Sequence, residues 1–162
     1  MSNTPKYLSY KLAHEKTTRA IDKGFPFEAI AICESLITDR LLSYANHHGG
    51  KLDPSKATLG QVINRIRKLV NDMAGTDPLG DDLLGKASEW AASRNQALHA
   101  IAKSAQGQGP KISAAEFDEF AMVTARNGYD LVKQIKSWHQ KQVREAAAKS
   151  AGVTLNSRRT RD

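Results

Sequence analysis

The sequence predicts an all-α protein, an up-and-down bundle of about five helices. Three observations predict it. Apolar residues recur at three- and four-residue spacing, Gly and Pro clusters separate the periodic stretches, and two capping boxes mark helix starts. Long helices joined by short loops pack as a bundle.

The first helix is expected from about Pro5 to Lys23, ending at Gly24, with Tyr7, Leu8, Leu12, Ala20 and Ile21 as its apolar stripe. The second opens at Phe25-Pro26, where proline suits a first turn, and ends at His47-His48-Gly49-Gly50. Its stripe is Ile30, Cys33, Ile37, Leu41 and Tyr44. Thr58 and Gln61 form a capping box that opens the third helix, striped by Leu59, Val62, Ile66, Leu69 or Val70, and Met73. Gly75 to Gly80 breaks the chain before a fourth helix from Asp81 to about Lys103. After the polar loop Ser104 to Pro110, a second capping box, Ser113 with Glu116, opens a long fifth helix to about Ala148. Its apolar positions include Phe117, Phe120, Val123, Leu131, Ile135 and Trp138, and Gly128 is expected to mark a bend. One domain is expected over residues 1–150, followed by a basic, disordered tail over 151–162.

Composition narrows the function classes. At 162 residues with 40% hydrophobic content, a single core can form without disulfide or metal staples. Cys33 is the only cysteine, which excludes an internal disulfide and a thiolate zinc cage and agrees with a reducing, cytoplasmic setting. Its apolar neighbours point to a packed, inert thiol. No apolar run approaches the roughly 18 residues of a membrane span. No metal and no cofactor are expected; His47-His48 lacks a third ligand at metal-site spacing.

The net charge of +7 favours a polyanionic partner, and nucleic acid is the commonest one in a cell. Between Lys136 and Asp162 seven basic residues face two acids. Arg158, Arg159 and Arg161 in the tail could bind an RNA backbone, although a tail that only aids solubility has the same composition.

Candidate chemistry lies where the apolar patterning breaks. Advancing the fourth helix by about 100° per residue from Leu83 places Ala87, Trp90, Leu98 and Ile101 on one stripe, with Arg94 in its middle. Asn95 and His99, four apart, share the adjoining sector. On the second helix Glu34 interrupts the stripe of Phe27, Ile30, Ile37, Leu41 and Tyr44 in the same way. A withdrawn carboxylate needs a cation, and a withdrawn guanidinium needs an anion, so Glu34 and Arg94 are expected to meet. Arg40 and Asp39, nearer the polar edge, are candidates to assist. A buried ion pair without catalytic role is the plain alternative, and Trp90 and Trp138 are expected in the core rather than as base-stacking platforms.

Arg94-Asn-Gln-Ala-Leu-His99 resembles the R-x(4–6)-H motif of the HEPN (higher eukaryotes and prokaryotes nucleotide-binding) family, in the form with asparagine after the arginine. Its setting, late in a helix that precedes a loop and a long final helix, matches as well. The segment Glu28 to Leu42 is similar to the early helix of such domains. The resemblance spans about residues 7 to 145. It implies a helical homodimer that brings two motifs into one composite cleft. It also implies metal-independent endoribonuclease activity, as in toxin–antitoxin and phage-defence systems, or else a silent domain that binds RNA, a nucleotide or a protein partner such as an antitoxin.

On that reading the RNA 2′-OH attacks the adjacent phosphorus, His99 acts as general acid or base, and Arg94 stabilises the phosphate charge. Asn95 orients the phosphate or the imidazole, while Glu34 and Arg40 support. Arg94 and His99 differ by about 140° around an ideal helix, a divergence that a partner subunit would resolve.

Overall fold

The computed structural model describes residues 4–72, 81–105 and 113–150. Five helices make up the fold: α1 (Thr4–Asp22), α2 (Pro26–His47), α3 (Leu59–Asp72), α4 (Asp81–Ala105) and α5 (Ala114–Ser150). Among the described residues there is no strand, and the protein is an all-α helical bundle. No helix is long and apolar enough to cross a membrane among those residues. The tail with Arg158, Arg159 and Arg161, together with Met73 and the loop before Ser113, lies outside the described residues.

The boundaries follow from local chemistry. Gly24, at φ 77°, closes α1 with Phe25 N–H donating to Ala20 O and Gly24 N–H to Ile21 O. Gly49, at φ 83°, repeats the device at the end of α2, where Gly50 N–H reaches Ala45 O and Gly49 N–H reaches Asn46 O. Both are left-handed terminations that satisfy otherwise orphaned carbonyls. The two capping boxes form reciprocally. Thr58 N–H donates to Gln61 Oε1 at 2.9 Å and Gln61 N–H to Thr58 Oγ1 at 3.4 Å. Ser113 N–H donates to Glu116 Oε2 at 2.8 Å and Glu116 N–H to Ser113 Oγ at 3.2 Å.

Helix α2 is the centre of the bundle, packed on α5, α1 and α3 and lightly on α4. It contributes ten buried residues, from Pro26 through Ala45, including Ile30, Cys33, Ile37 and Leu41. Phe27 stacks on Phe117, and further along both helices Tyr44 meets Trp138 edge to face. These pairs fall in the same chain order, so α2 and α5 run in one direction, where strict alternation of five helices would oppose them. Lys86 lies opposite Gln134 and Trp90 opposite Thr124, so α4 runs against α5.

The inner face of α1 differs from the expected stripe. Ala20 and Ile21 pack on the bundle as expected, but Tyr7, Leu8 and Leu12 are exposed, and Tyr10, Ala13 and Thr17 face inward in their place. Small residues allow closer helix approach, and the buried Thr17 hydroxyl satisfies itself by donating to Ala13 O at 2.8 Å. Thr124 does the same on α5, donating to Phe120 O at 2.9 Å, while Val123 and, on α4, Leu98 are exposed. Helix α5 is one continuous helix through Gly128. The glycine serves packing. A Cβ there would lie 2.7 Å from Trp90 Nε1, so its absence lets the indole rest on the helix backbone and donate to Thr124 O at 2.9 Å.

Candidate functional site

Arg94 occupies the inner side of α4 and turns toward α2. Its Nη2 donates to Glu34 Oε1 in an ion pair, and its Nη1 donates to Asn95 Oδ1 at 2.7 Å. Glu34 and Arg94 therefore meet, as the two interrupted stripes require. The side chains are 30% and 17% exposed, so the pair is withdrawn from bulk water with one edge still open. Arg94 Nε is buried with no hydrogen-bond partner among the described residues.

Asn95 is exposed beside the pair, with Oδ1 committed to Arg94, which leaves its amide N–H groups to donate elsewhere. His99, one helical turn further, is also exposed. Among the described residues no hydrogen bond joins His99 to Arg94 or Asn95. The guanidinium leans into the α2–α4 interface while the imidazole stands on the outer surface. A single subunit thus brings together Glu34, Arg94 and Asn95, and leaves His99 beside them rather than among them.

Arg40 belongs to a different neighbourhood. Its guanidinium lies 4.1 Å from the Tyr10 ring centroid, and Nη1 is 3.4 Å from His139 Nδ1. It does not join Glu34 or Arg94, because six residues along a helix place it about 120° from Glu34 and on the α1–α5 side. Asp39 is likewise engaged by α1, accepting from Tyr10 Oη and pairing with Lys6 at 3.2 Å.

This second cluster has no counterpart in the sequence-based expectations. It joins Lys6, Tyr10 and His14 of α1, Asp39 and Arg40 of α2, and Lys136 and His139 of α5. Burial and the Asp39 carboxylate push the Tyr10 phenol well up. Burial, followed by the charges of Lys136 and Arg40, holds His14 below the ordinary histidine range. Burial, followed by Arg40 and Lys6, does the same to His139. A neutral His139 can accept from Arg40 through Nδ1, which a protonated ring could not. The sequence signal is faint: Asp39-Arg40 sits at a polar edge, and its partners come from two other helices.

His47 and His48 lie against each other at the end of α2, with ring centroids 5.1 Å apart. Burial and His47 lower the pKa of His48. Among the described residues no three His, Cys, Asp or Glu side chains are grouped to hold a metal ion. Trp90 is buried and Trp138 packs partly buried against the core, in keeping with a structural place for both.

Fold and site together define an all-α bundle with an arginine–glutamate pair between its second and fourth helices and an exposed histidine alongside. No protein-family model, no curated protein and no solved structure matches the chain.

Proposed function

We propose that the chain is a metal-independent endoribonuclease of the HEPN type, suited to a toxin or phage-defence role, acting as a homodimer on RNA. The observation that carries this reading is the arrangement on α4. Arg94 is anchored by Glu34 and bonded to Asn95, and His99 stands exposed one turn beyond. A permanently charged planar cation, an amide donor and an imidazole are the groups that 2′-OH attack on a phosphodiester needs.

The chemistry divides among these side chains. The imidazole of His99 exchanges a proton with the attacking 2′-OH or the departing 5′-oxygen near neutral pH. The guanidinium of Arg94 offsets charge building on the phosphorus-bound oxygens, and Glu34 fixes its direction. Asn95 donates to the phosphate. Because Arg94 and His99 diverge within one subunit, the cleft is completed when two α4 surfaces face each other across a two-fold axis, each lending its imidazole to the other's guanidinium.

One observation favours a second reading, a catalytically silent domain that binds RNA, a nucleotide or a protein partner. Arg94 already spends two donors inside the subunit, on Glu34 and Asn95, which reduces what it offers a phosphate. One experiment separates the two. Purified protein is incubated with total RNA in EDTA beside His99→Ala and Arg94→Ala. Cleavage that survives chelation and is lost by at least about a hundredfold in both variants supports the nuclease. Equal cleavage by the variants rejects the site, and RNA binding without cleavage supports the silent domain.

A further inference from the structure

An opening in the surface lies away from Arg94. It is a groove of about 450 Å³ between the loop that follows α2 and the outer face of α3. Leu52 and Ala57 are the apolar residues among those that line it. Lys56, Gln61, Asn64, Arg65 and Lys68 line it as well, together with Asp53. Glu34 and His47 are thirteen residues apart on α2, so the groove begins about 20 Å along the bundle from the Arg94 pair.

Three features suit this groove to a string of anions. First, the α3 side presents donors. Gln61, Asn64, Arg65 and Lys68 fall at helical spacing on one face, over a rise of about 10 Å, and no acidic residue interrupts them. Gln61 has its Oε1 occupied by Thr58 N–H, so its amide nitrogen is the end left to bond outward. Second, Arg65 is held in place. Its Nε donates to Gly50 O at 3.0 Å and its Nη2 to Gly49 O at 3.3 Å, leaving Nη1 outside both bonds. These are neutral acceptors, so the positive charge of Arg65 has no carboxylate against it among the described residues. Third, the single acid is occupied. Asp53 accepts from Ser55 N–H at 2.9 Å and from Ser55 Oγ at 2.7 Å, bonds that also hold its carboxyl below the ordinary range. The Lys56–Asp53 ion pair, at 3.9 Å, is long and exposed.

We infer that this groove binds the phosphodiester backbone of single-stranded RNA, as a second binding surface separate from that of Arg94. The inference rests on the nuclease reading for its choice of RNA over another polyanion. Charge and donor geometry carry the rest. Cations and amides spaced along one helix face track a backbone without reading its bases.

The test uses the full chain bearing His99→Ala, so that RNA stays intact whatever the variant does to cleavage. Binding of a fluorescein-labelled oligouridylate is followed by anisotropy across a salt series, with and without Lys56→Gln and Lys68→Gln together. Both lysines are exposed, and circular dichroism verifies that the helices persist. Lys68→Glu alone serves as a second variant, since it leaves the Lys56–Asp53 pair in place.

The groove predicts a roughly tenfold weaker Kd for the double variant. It also predicts a salt slope lower by about 1.4, at about 0.7 for each phosphate that is no longer neutralised. Unchanged affinity and slope in both variants, or no RNA binding by the parent, overturns it. Poly-glutamate bound as tightly as the oligouridylate, and released by the same substitutions, overturns RNA in favour of an acidic protein segment. The two failures are distinguishable: cleavage indifferent to His99 sinks the nuclease, and a salt slope indifferent to Lys56 and Lys68 sinks the groove.

Discussion

The indole of Trp90 occupies the space that a side chain at position 128 would need, so α4 and α5 meet through a tryptophan laid on a glycine. Trp90 Nε1 donates to the Thr124 carbonyl at 2.9 Å, and a Cβ on Gly128 would stand 2.7 Å from that same nitrogen. Helix propensity alone would reward alanine at 128 by about 1 kcal/mol, but overpacking here costs about 1–3 kcal/mol and prevails. Gly128→Ala is expected to lower the denaturant midpoint with the slope unchanged. A midpoint at or above the parent's would show that α4 yields easily.

The Glu34–Arg94 pair should behave as one unit. Glu34→Ala leaves a guanidinium only 17% exposed with no anion against it, which is expected to cost about 2–3 kcal/mol. Arg94→Ala should cost a similar amount. The double variant should fall well short of the sum, and a double-mutant cycle reads that coupling. Strict additivity would mean that the pair is energetically idle.

Acidification should loosen the side of the bundle where α1 packs. His14 and His139 both titrate below the ordinary value of 6.5 in the folded chain, held down by burial and by Lys136, Arg40 and Lys6. The unfolded chain therefore takes up more protons as pH falls. Stability from these groups is complete above about pH 6.5 and is lost as pH drops through their folded values. Urea midpoints measured from neutral pH to about pH 5 should fall, and His14→Asn with His139→Asn should flatten that part of the profile. Asp53 and Glu116, held low by Ser55 and Ser113, act only below the carboxylate range and leave this window untouched.

The start of α3 depends on its cap. Thr58→Ala removes the hydroxyl that accepts from Gln61 N–H and is expected to cost about 1 kcal/mol, read as a lower melting temperature. Thr58→Ser should retain most of it. An equal loss in both would assign the effect to the threonine methyl group instead.

How much of the molecule is legible in the sequence depends on what each feature is made of. Helix ends are readable because they rest on local chemistry: Gly24, Gly49, Thr58 with Gln61, and Ser113 with Glu116 each act within five residues. The Glu34–Arg94 meeting is readable because each residue breaks an apolar stripe and the two breaks are complementary in charge. The inner face of α1 escapes the pattern because Ala13 and Thr17 pack by being small, and a hydroxyl that bonds its own helix hides its polarity. The cluster around Arg40 leaves almost no trace. Tyr10, Arg40 and His139 are polar residues on three helices, and only the folded arrangement makes them neighbours.

Cys33 sits fully buried on the inner face of α2, with its thiol pushed up to about 12 by that burial. As the chain's single sulfhydryl, it is a built-in clock: alkylating reagents can reach it only when the bundle opens. The rate of its labelling then counts openings one molecule at a time, with no engineered dye.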